Sequence, residues 1–156
     1  IFCITYNHEK YIDKTIQGFL MQKSNFDIEI VIGEDCSTDK TREIINNYIS
    51  NTKYNIRLIT SKENVGLKEN VARTMKACNG KYIAICEGDD YWTDNFKLQK
   101  QFDFLENHKQ HFFAFHNFIT VDKSGQILSD SNLQKQYFKT DKSKKDLVIM
   151  LWQHTV

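Results

Sequence analysis

Apolar and polar residues alternate along this chain in blocks that predict strands and helices in turn. Four short runs rich in β-branched and aromatic residues have the character of buried strands: residues 1–5, 28–32, 56–59 and 82–86. In each interval between these runs, apolar residues recur at the paired spacing of an amphipathic helix. The helical spacing runs from Tyr11 to Leu20, from Ile44 to Ile49 and from Leu67 to Cys78.

This alternation predicts an α/β fold, in which a mostly parallel sheet carries helices on both faces and the crossovers are right-handed. At 156 residues the chain is long enough for one domain with its own core. In sheets of this kind, ligands bind beyond the carboxyl ends of the strands. We therefore expect residues 6–7, 34–35 and 87–90, which end the first, second and fourth strands, to open onto one edge of the sheet.

Local residue types predict caps, turns and the remaining elements. The capping residues are Asn7 for the first helix, Ser37 or Asp39 for the second, and Asp94 for a fourth helix with Leu98, Phe102 and Leu105, while Asn79-Gly80 ends the third. The last part of the chain is predicted to contain a strand over residues 112–116, a hairpin turn over residues 122–125, a lysine-rich mobile loop over residues 129–145 and the start of a helix over residues 146–152.

An acidic stretch, Glu87-Gly88-Asp89-Asp90, directly follows the fourth apolar run. Three carboxylates within four positions repel one another and resist desolvation, so the cluster needs either solvent or a cation. Mg²⁺ and Mn²⁺ prefer oxygen ligands and keep positions open for phosphate oxygens. We interpret the stretch as a metal–diphosphate site, because a merely solvated turn leaves the second acidic loop, at Glu34-Asp35, unexplained.

Composition and charge narrow the class of protein. With 21 basic and 20 acidic residues the formal charge is +1, so the net charge does not favour binding to nucleic acid or to an anionic membrane. No apolar run reaches the length of a membrane span, and no signal peptide is visible. The four cysteines lack the close spacing of a zinc or redox motif, which predicts reduced core thiols in an intracellular protein. The chain begins inside a predicted strand and has the character of a piece of a longer protein.

Several residues near the predicted edge allow two interpretations. Asp35 could accept an N–H of a base or bond a ribose hydroxyl, or it could be a loop residue that caps a helix. Glu34 is expected to shape that loop. Lys62 and Lys68 could balance phosphate charge or be ordinary surface lysines. Tyr91 and Trp92 could form a wall of the sugar pocket or a hydrophobic plug beneath the loop. The histidines have no metal-binding spacing, and His116 could be a residue of the site or of the core.

No glycine-rich phosphate loop of the P-loop or dinucleotide type is present. This absence argues against a kinase-type NTPase and against a nicotinamide enzyme. A diphosphate would then be held by metal rather than by a backbone cradle.

The motifs together resemble those of the family 2 glycosyltransferases, over nearly the whole chain. Each motif is weak alone, but four occur in the family's order and spacing: Ile4-Thr5-Tyr6-Asn7 resembles its first-strand motif, Glu34-Asp35-Cys36-Ser37-Thr38-Asp39 its Asp-Asp-Gly-Ser-Thr-Asp loop, Asn64-Val65-Gly66 its Asn-x-Gly, and Glu87-Gly88-Asp89 its DxD motif, followed by a frequent extra acid at Asp90. The resemblance implies a single domain of the GT-A fold over residues 1–156, truncated at both ends.

This chain departs from the family's pattern at three of these positions. Glu34 and Glu87 replace the more usual aspartates, and Cys36 replaces a common glycine. Because glutamate is one methylene longer, Glu87 is expected to meet the ribose or to reach the metal through water, and Asp89 is expected to be the direct metal ligand. The family's general base is an aspartate that lies further downstream, beyond Val156.

The resemblance further implies an inverting transfer of sugar from a nucleoside-diphosphate sugar, with UDP-sugars favoured, to a hydroxyl of a glycan or lipid-linked acceptor. The cofactor is a divalent metal, Mn²⁺ or Mg²⁺, held by Asp89 and Glu87. The implied donor-binding residues are Thr5, Tyr6, Asn7, Asp35, Asn64, Gly66, Lys68, Glu87, Gly88 and Asp89. The expected setting is cell-surface polysaccharide or glycan synthesis at the cytoplasmic side, peripheral to the inner face of the membrane, with no nucleic-acid partner.

Other functions remain open at this point. A metal-dependent nucleotidyltransferase also uses carboxylates at a sheet edge, but it would show a glycine-rich and basic loop near its first strand. A phospho-acceptor receiver domain built around Glu34-Asp35 would need a lysine after a later strand, where Val148 gives little support. A protein that binds sugar nucleotides without transferring them is the third alternative.

Overall fold

A computed structural model describes residues 1–116, 118–122, 125–127 and 151–153, the last three by their backbone only. The elements in chain order are β1 (Phe2–Thr5), α1 (Ile12–Leu20), β2 (Glu29–Glu34), α2 (Thr41–Asn51), β3 (Asn55–Ile59), α3 (Leu67–Lys76), β4 (Tyr82–Ala84), α4 (Lys97–Asn107) and β5 (Leu151–Gln153). The alternation of strand and helix predicted from the apolar spacing is confirmed. No helix among the described residues is long and apolar enough to cross a bilayer.

The strands β1, β2 and β3 form a parallel sheet with β2 in the centre. The chain that leaves β4 continues this sheet on the other side of β1, where Ile85 forms a parallel bridge with Phe2 and the Gly88 N–H donates to the Ile4 carbonyl at 2.9 Å. The segment after β4 therefore extends the sheet beyond β1, while β4 itself pairs with β5. The predicted α/β fold with a mostly parallel sheet is confirmed.

Two apolar clusters cover the two faces of the sheet, because successive side chains of a strand point to opposite faces. Cys3 packs in a cluster with buried residues of α1, α2 and α4. The next residue, Ile4, packs on the opposite face, which α3 covers. All four cysteines are free, and Cys3, Cys78 and Cys86 are buried, as predicted for core thiols.

The helix caps only partly follow the sequence predictions. Asn7 does not cap α1; its backbone takes a left-handed φ of 55°, and its Oδ1 instead accepts the Thr38 N–H at 2.8 Å, in the loop before α2. The N-cap of α2 is Lys40, not Ser37 or Asp39, although Asp39 Oδ1 accepts the N–H of Thr41, the first residue of the helix, at 2.9 Å. Asp94 lies two residues before Phe96, the N-cap of α4, and its Oδ1 accepts the Phe96 N–H at 2.9 Å.

Beyond α4 one prediction holds and two are wrong. Asp122 and Gln126 close the predicted hairpin turn, with the Asp122 N–H donating to the Gln126 carbonyl at 2.9 Å. No strand spans residues 112–116, where Phe112 and Phe113 are exposed rather than alternating between core and solvent. Residues 151–153 form β5 rather than helix, because they pair with the open edge of β4. The predicted loop over residues 129–145 lies outside the described residues.

A lysine is buried at the start of α4. Lys97 is 8% exposed, and its ammonium lies 4.1 Å from the centre of the Trp92 ring. Burial lowers the pKa of Lys97 from 10.5 to about 8. The charged form is therefore disfavoured in the folded protein, although the ring offsets part of that cost.

Replacing Lys97 with methionine is expected to stabilise the protein at pH 7 by about 1–3 kcal/mol. Because the folded pKa lies below the unfolded one, the unfolded chain binds more protons between pH 8 and 10.5, and the stability of the parent should rise across that window. Urea unfolding of parent and variant at several pH values measures both effects, and taking the difference between the two curves removes the titration of other groups. If the difference in unfolding free energy between variant and parent does not decrease above pH 8, Lys97 is not the group that causes the pH dependence.

Candidate functional site

The loops that follow β1, β2 and β4 meet at the carboxyl edge of the sheet, as expected. The Asp35 N–H donates to the Thr5 carbonyl at 3.1 Å, and the Gly88 N–H donates to the Ile4 carbonyl at 2.9 Å. Both acidic loops are thereby bound to the same strand, β1, at its last two residues. One edge of the sheet carries the carboxylates of both loops.

Helix α1 supports the acidic turn formed by residues 87–90. The hydroxyl oxygen of Thr15, which is fully buried, lies 2.7 Å from the Asp90 carbonyl oxygen and 3.0 Å from the Gly88 carbonyl oxygen. With one proton, the hydroxyl donates to one carbonyl at a time. The backbone of the turn is thus anchored while the side chains of Glu87, Asp89 and Asp90 remain exposed.

The acidic turn concentrates negative charge. Burial and the neighbouring carboxylates Asp89 and Asp90 raise the pKa of Glu87, and burial and Asp89 raise the pKa of Asp90. Charged forms of His116 and His8 would act in the opposite direction on the pKa of Asp90, so His116 lies within electrostatic reach of the site. A bound cation would relieve this repulsion, so the side chains fit a divalent metal.

The protein alone does not form a complete metal cage in the part of the chain that the structure describes. No group of three or more His, Cys, Asp or Glu side chains converges there. A cation at Asp89 would therefore complete its coordination with oxygen atoms of water or of a ligand, as Mg²⁺ does with waters and substrate phosphates.

Gly88 is required by the close approach of two side chains. A Cβ at this position would stand 2.5 Å from Thr5 Oγ1 and 2.9 Å from His8 Nδ1. Sequence reasoning missed His8, because it looked for metal-ligand spacing among histidines. The available signal was position: His8 follows Tyr6-Asn7 in the loop that leaves β1.

Asp35 is buried and anchors the loop before α3. Its two carboxylate oxygens accept the N–H groups of Val65 at 2.8 Å and Gly66 at 2.9 Å, and Arg73 Nη2 lies 3.5 Å from Oδ1. Asp35 thus holds the loop before α3, but it does not cap a helix, because neither α2 nor α3 has a side-chain cap hydrogen bond. Each oxygen of an ionised carboxylate can accept a second bond, and contact with a base stays a prediction.

Glu34, fully buried, shapes the loop after β2, the role the sequence predicted. It accepts the Ser37 N–H at 2.5 Å and bonds Arg42 Nε at 2.5 Å, with Thr60 Oγ1 at 3.2 Å. Burial raises the pKa of Glu34, but the bonds from Ser37 and Arg42 outweigh it and hold that pKa below its usual value. Glu34 therefore does not face a ligand as an exposed acid would.

The remaining predicted donor-binding residues surround the same edge. Tyr6 is 43% exposed, and Asn7 is exposed beside it. Asn64 donates from Nδ2 to the Asp35 carbonyl at 3.1 Å, and Gly66 has a left-handed φ of 84° that favours glycine. Lys68 is exposed on the first turn of α3.

The two aromatic residues after the acidic turn differ in role. Trp92 is buried, and its ring centre lies 5.0 Å from that of Phe19 in α1, so it is a hydrophobic plug rather than a pocket wall. Tyr91 is partly exposed, and Lys14 Nζ lies 3.7 Å from its ring centre.

Comparison with known proteins identifies several similar chains. The model of the family described as Glycosyl transferase family 2 matches residues 1–155. An uncharacterized protein of Mycobacterium tuberculosis is 38% identical over 125 residues, covering 80% of this chain and 36% of that protein. The UDP-Glc:alpha-D-GlcNAc-diphosphoundecaprenol beta-1,3-glucosyltransferase WfaP of Escherichia coli is 35% identical over 120 residues, covering 76% of this chain and 45% of WfaP.

Among solved structures, S. aureus TarS 1–349 in complex with UDP-GlcNAc is similar, with a TM-score of 0.65 and 26% identity. The likeness covers 83% of this chain and 36% of the TarS chain. The GT-A fold implied by the sequence motifs is confirmed. The chain spans less than half the length of each of these relatives.

Proposed function

Because the chain belongs to glycosyl transferase family 2, we propose that it is the part of a glycosyltransferase that binds a nucleoside-diphosphate sugar together with a divalent cation. The observation that carries this proposal is the meeting of the two acidic loops at β1. The bonds from Asp35 to Thr5 and from Gly88 to Ile4 bring these loops to one edge of the sheet. Ligands of α/β sheets bind at this edge.

The roles of the residues follow from their exposure and position. Asp89, half-exposed on the acidic turn, is the proposed direct ligand of Mn²⁺ or Mg²⁺, and Glu87 contacts the ribose or reaches the cation through water. Thr5 and Asp35 hold the nucleoside. Four exposed residues nearby, together with the partly buried Gly66 and the backbone of the buried Gly88, complete the proposed donor site: Tyr6, Asn7, Asn64 and Lys68.

The proposed reaction is a single displacement with inversion at the anomeric carbon. A general base deprotonates the acceptor hydroxyl, which attacks from the face opposite the departing diphosphate. Mn²⁺ or Mg²⁺, when bound, supplies positive charge that stabilises the diphosphate as it leaves. This chain's contribution is to orient the donor, and the base is an aspartate beyond Val156.

The proposed donor is a UDP-sugar, and the proposed acceptor is a glycan or a lipid-linked sugar. TarS was solved with UDP-GlcNAc, and the name of WfaP specifies UDP-Glc and a diphosphoundecaprenol acceptor. Synthesis of a cell-surface polysaccharide at the cytoplasmic face of the membrane, with the protein bound peripherally, is consistent with such an acceptor.

Binding of nucleoside diphosphates tests this function directly. We expect UDP to raise the melting temperature when Mn²⁺ is present and to raise it little when Mn²⁺ is replaced by a chelator, because binding stabilises the folded state by mass action. GDP and CDP under the same conditions report the base preference. A UDP response that is equally large with the chelator would contradict the metal-dependent site, and no response to any nucleotide would contradict donor binding.

A further inference from the structure

Two shielded polar atoms next to Gly88 have no hydrogen-bond partner among the described residues. These atoms are Thr5 Oγ1 and His8 Nδ1. They lie 2.5 Å and 2.9 Å from the point where a Cβ of residue 88 would stand, so they border the same small space without a hydrogen bond between them. A buried polar group without a partner costs about 1–3 kcal/mol, and few are left so in folded proteins.

The two atoms are chemically complementary. A threonine hydroxyl can donate a proton, and a neutral histidine that carries its proton on Nε2 accepts at Nδ1. A bond from Thr5 to His8 would satisfy both groups and would select the Nε2–H tautomer of the ring. That tautomer presents a donor at the opposite edge of the imidazole.

The opposite edge of the ring faces the acidic turn. His8 Nε2 lies 3.9 Å from Asp89 Oδ2, with the side chains 24% and 48% exposed. The His8 backbone is fixed, because its N–H donates to Thr41 Oγ1 at 2.8 Å and its carbonyl accepts the Ile12 N–H at 2.9 Å. The ring can therefore turn only about its side-chain torsions, and Asp89 is free enough to meet it.

We propose that Thr5 donates its hydroxyl proton to His8 Nδ1 and that His8 donates its Nε2 proton to the Asp89 carboxylate, so that His8 is a positioning residue for the cation-binding acid. This inference rests on the proposed function, since the orientation of Asp89 matters to binding only if Asp89 holds the cation. Neither bond is formed in the structure: closing the 3.9 Å gap between His8 and Asp89 needs a movement of about 1 Å, and the bond between Thr5 and His8 needs a turn of one of these two side chains.

The arrangement leaves one oxygen of Asp89 for the cation. Carboxylates that bind metals are commonly hydrogen-bonded in turn, and loss of such a partner lowers metal affinity about 10–100-fold. The same tautomer excludes His8 Nε2 as a metal ligand, because its lone pair is occupied by the proton. A role of His8 in positioning and a role in direct coordination therefore make different predictions.

Mn²⁺ affinity, measured by electron paramagnetic resonance in the presence of UDP, tests the positioning role. His8→Leu should weaken Mn²⁺ binding about 10–100-fold, whereas His8→Gln, whose amide can donate from nearly the same place, should retain most of the affinity. His111→Leu removes an exposed histidine outside this loop and should leave the affinity unchanged. Equal affinity of His8→Leu and the parent would overturn the inference, as would a loss in His8→Gln as large as that in His8→Leu.

The tautomer provides a second measurement that needs no metal and no activity. In the metal-free parent, ¹⁵N NMR of the imidazole should show His8 with its proton on Nε2, and Thr5→Val should weaken that preference. A proton on Nδ1 in the parent would overturn the proposal. If the parent binds neither UDP nor Mn²⁺, the proposed function falls and this inference with it. If the parent binds both and His8→Leu binds them equally well, only the inference falls.

Discussion

Replacing Asp89 by asparagine is expected to reduce the Mn²⁺-dependent affinity for UDP by about 100-fold or more. Asparagine keeps the shape of the side chain and one oxygen but removes the negative charge that the cation requires. Loss of a charge–metal contact costs several kcal/mol, and each 1.4 kcal/mol corresponds to a factor of ten. The acidic turn should stay folded, because Thr15 holds it through backbone carbonyls and not through the Asp89 side chain.

Calorimetric titration of UDP with and without Mn²⁺ measures this effect. Asp27→Asn is the matched control, since Asp27 is an exposed acid just before β2, at the other end of that strand from Asp35. The control should bind UDP and Mn²⁺ as the parent does. Titration curves for Asp89→Asn that match the parent would refute the assignment of the cation to the acidic turn.

Replacing Gly33 by alanine is expected to destabilise the protein by about 3 kcal/mol or more, the upper end of the cost of overpacking. An added Cβ would stand 1.8 Å from Thr74 Oγ1 and 2.8 Å from Asn70 Oδ1. Thr74 is fully buried, and Asn70 holds the two elements together by donating to the Gly33 carbonyl at 2.9 Å. Helix α3 would have to separate from β2 to make room.

Urea unfolding of Gly33→Ala, Thr74→Ala and the double variant separates the steric effect of the added Cβ from other effects of the substitution on stability. Thr74→Ala opens the space beside the new Cβ, so the double variant should be more stable than the sum of the two single effects predicts. Strict additivity would show that the contact with Thr74 is not the cause. Because the loop before α3 carries the N–H groups that bind Asp35, Gly33→Ala should also weaken UDP binding.

The spacing of apolar residues was sufficient to predict the sheet and the three helices up to β4. Residues such as Ile16, Ile32 and Ile45 are buried because their periods match the faces that meet in the core. The elements after α4 could not be found in this way. Residues 151–153 adopt a strand because they pair with the open edge of β4. The local sequence of an apolar run does not show whether such a distant partner exists.

The candidate site shows a similar division. The carboxylates at Asp35 and Asp89 could be predicted to share an edge, because parallel strands place their carboxyl ends together. The bonds that occupy Asp35 depend on how α3 packs, and the contact of His8 with Gly88 depends on the close approach of two loops. Neither is encoded in a local pattern. The sequence shows a glycine at position 88, but it does not show why the position requires one.

The hydroxyl of Thr15 couples the position of the acidic turn to the position of helix α1. Any sliding or rotation of α1 against the sheet would displace the carbonyls of Gly88 and Asp90, and the carboxylates with them. Laboratory evolution for a different sugar donor should therefore select substitutions on the side of α1 that faces the sheet, at residues that do not contact the donor.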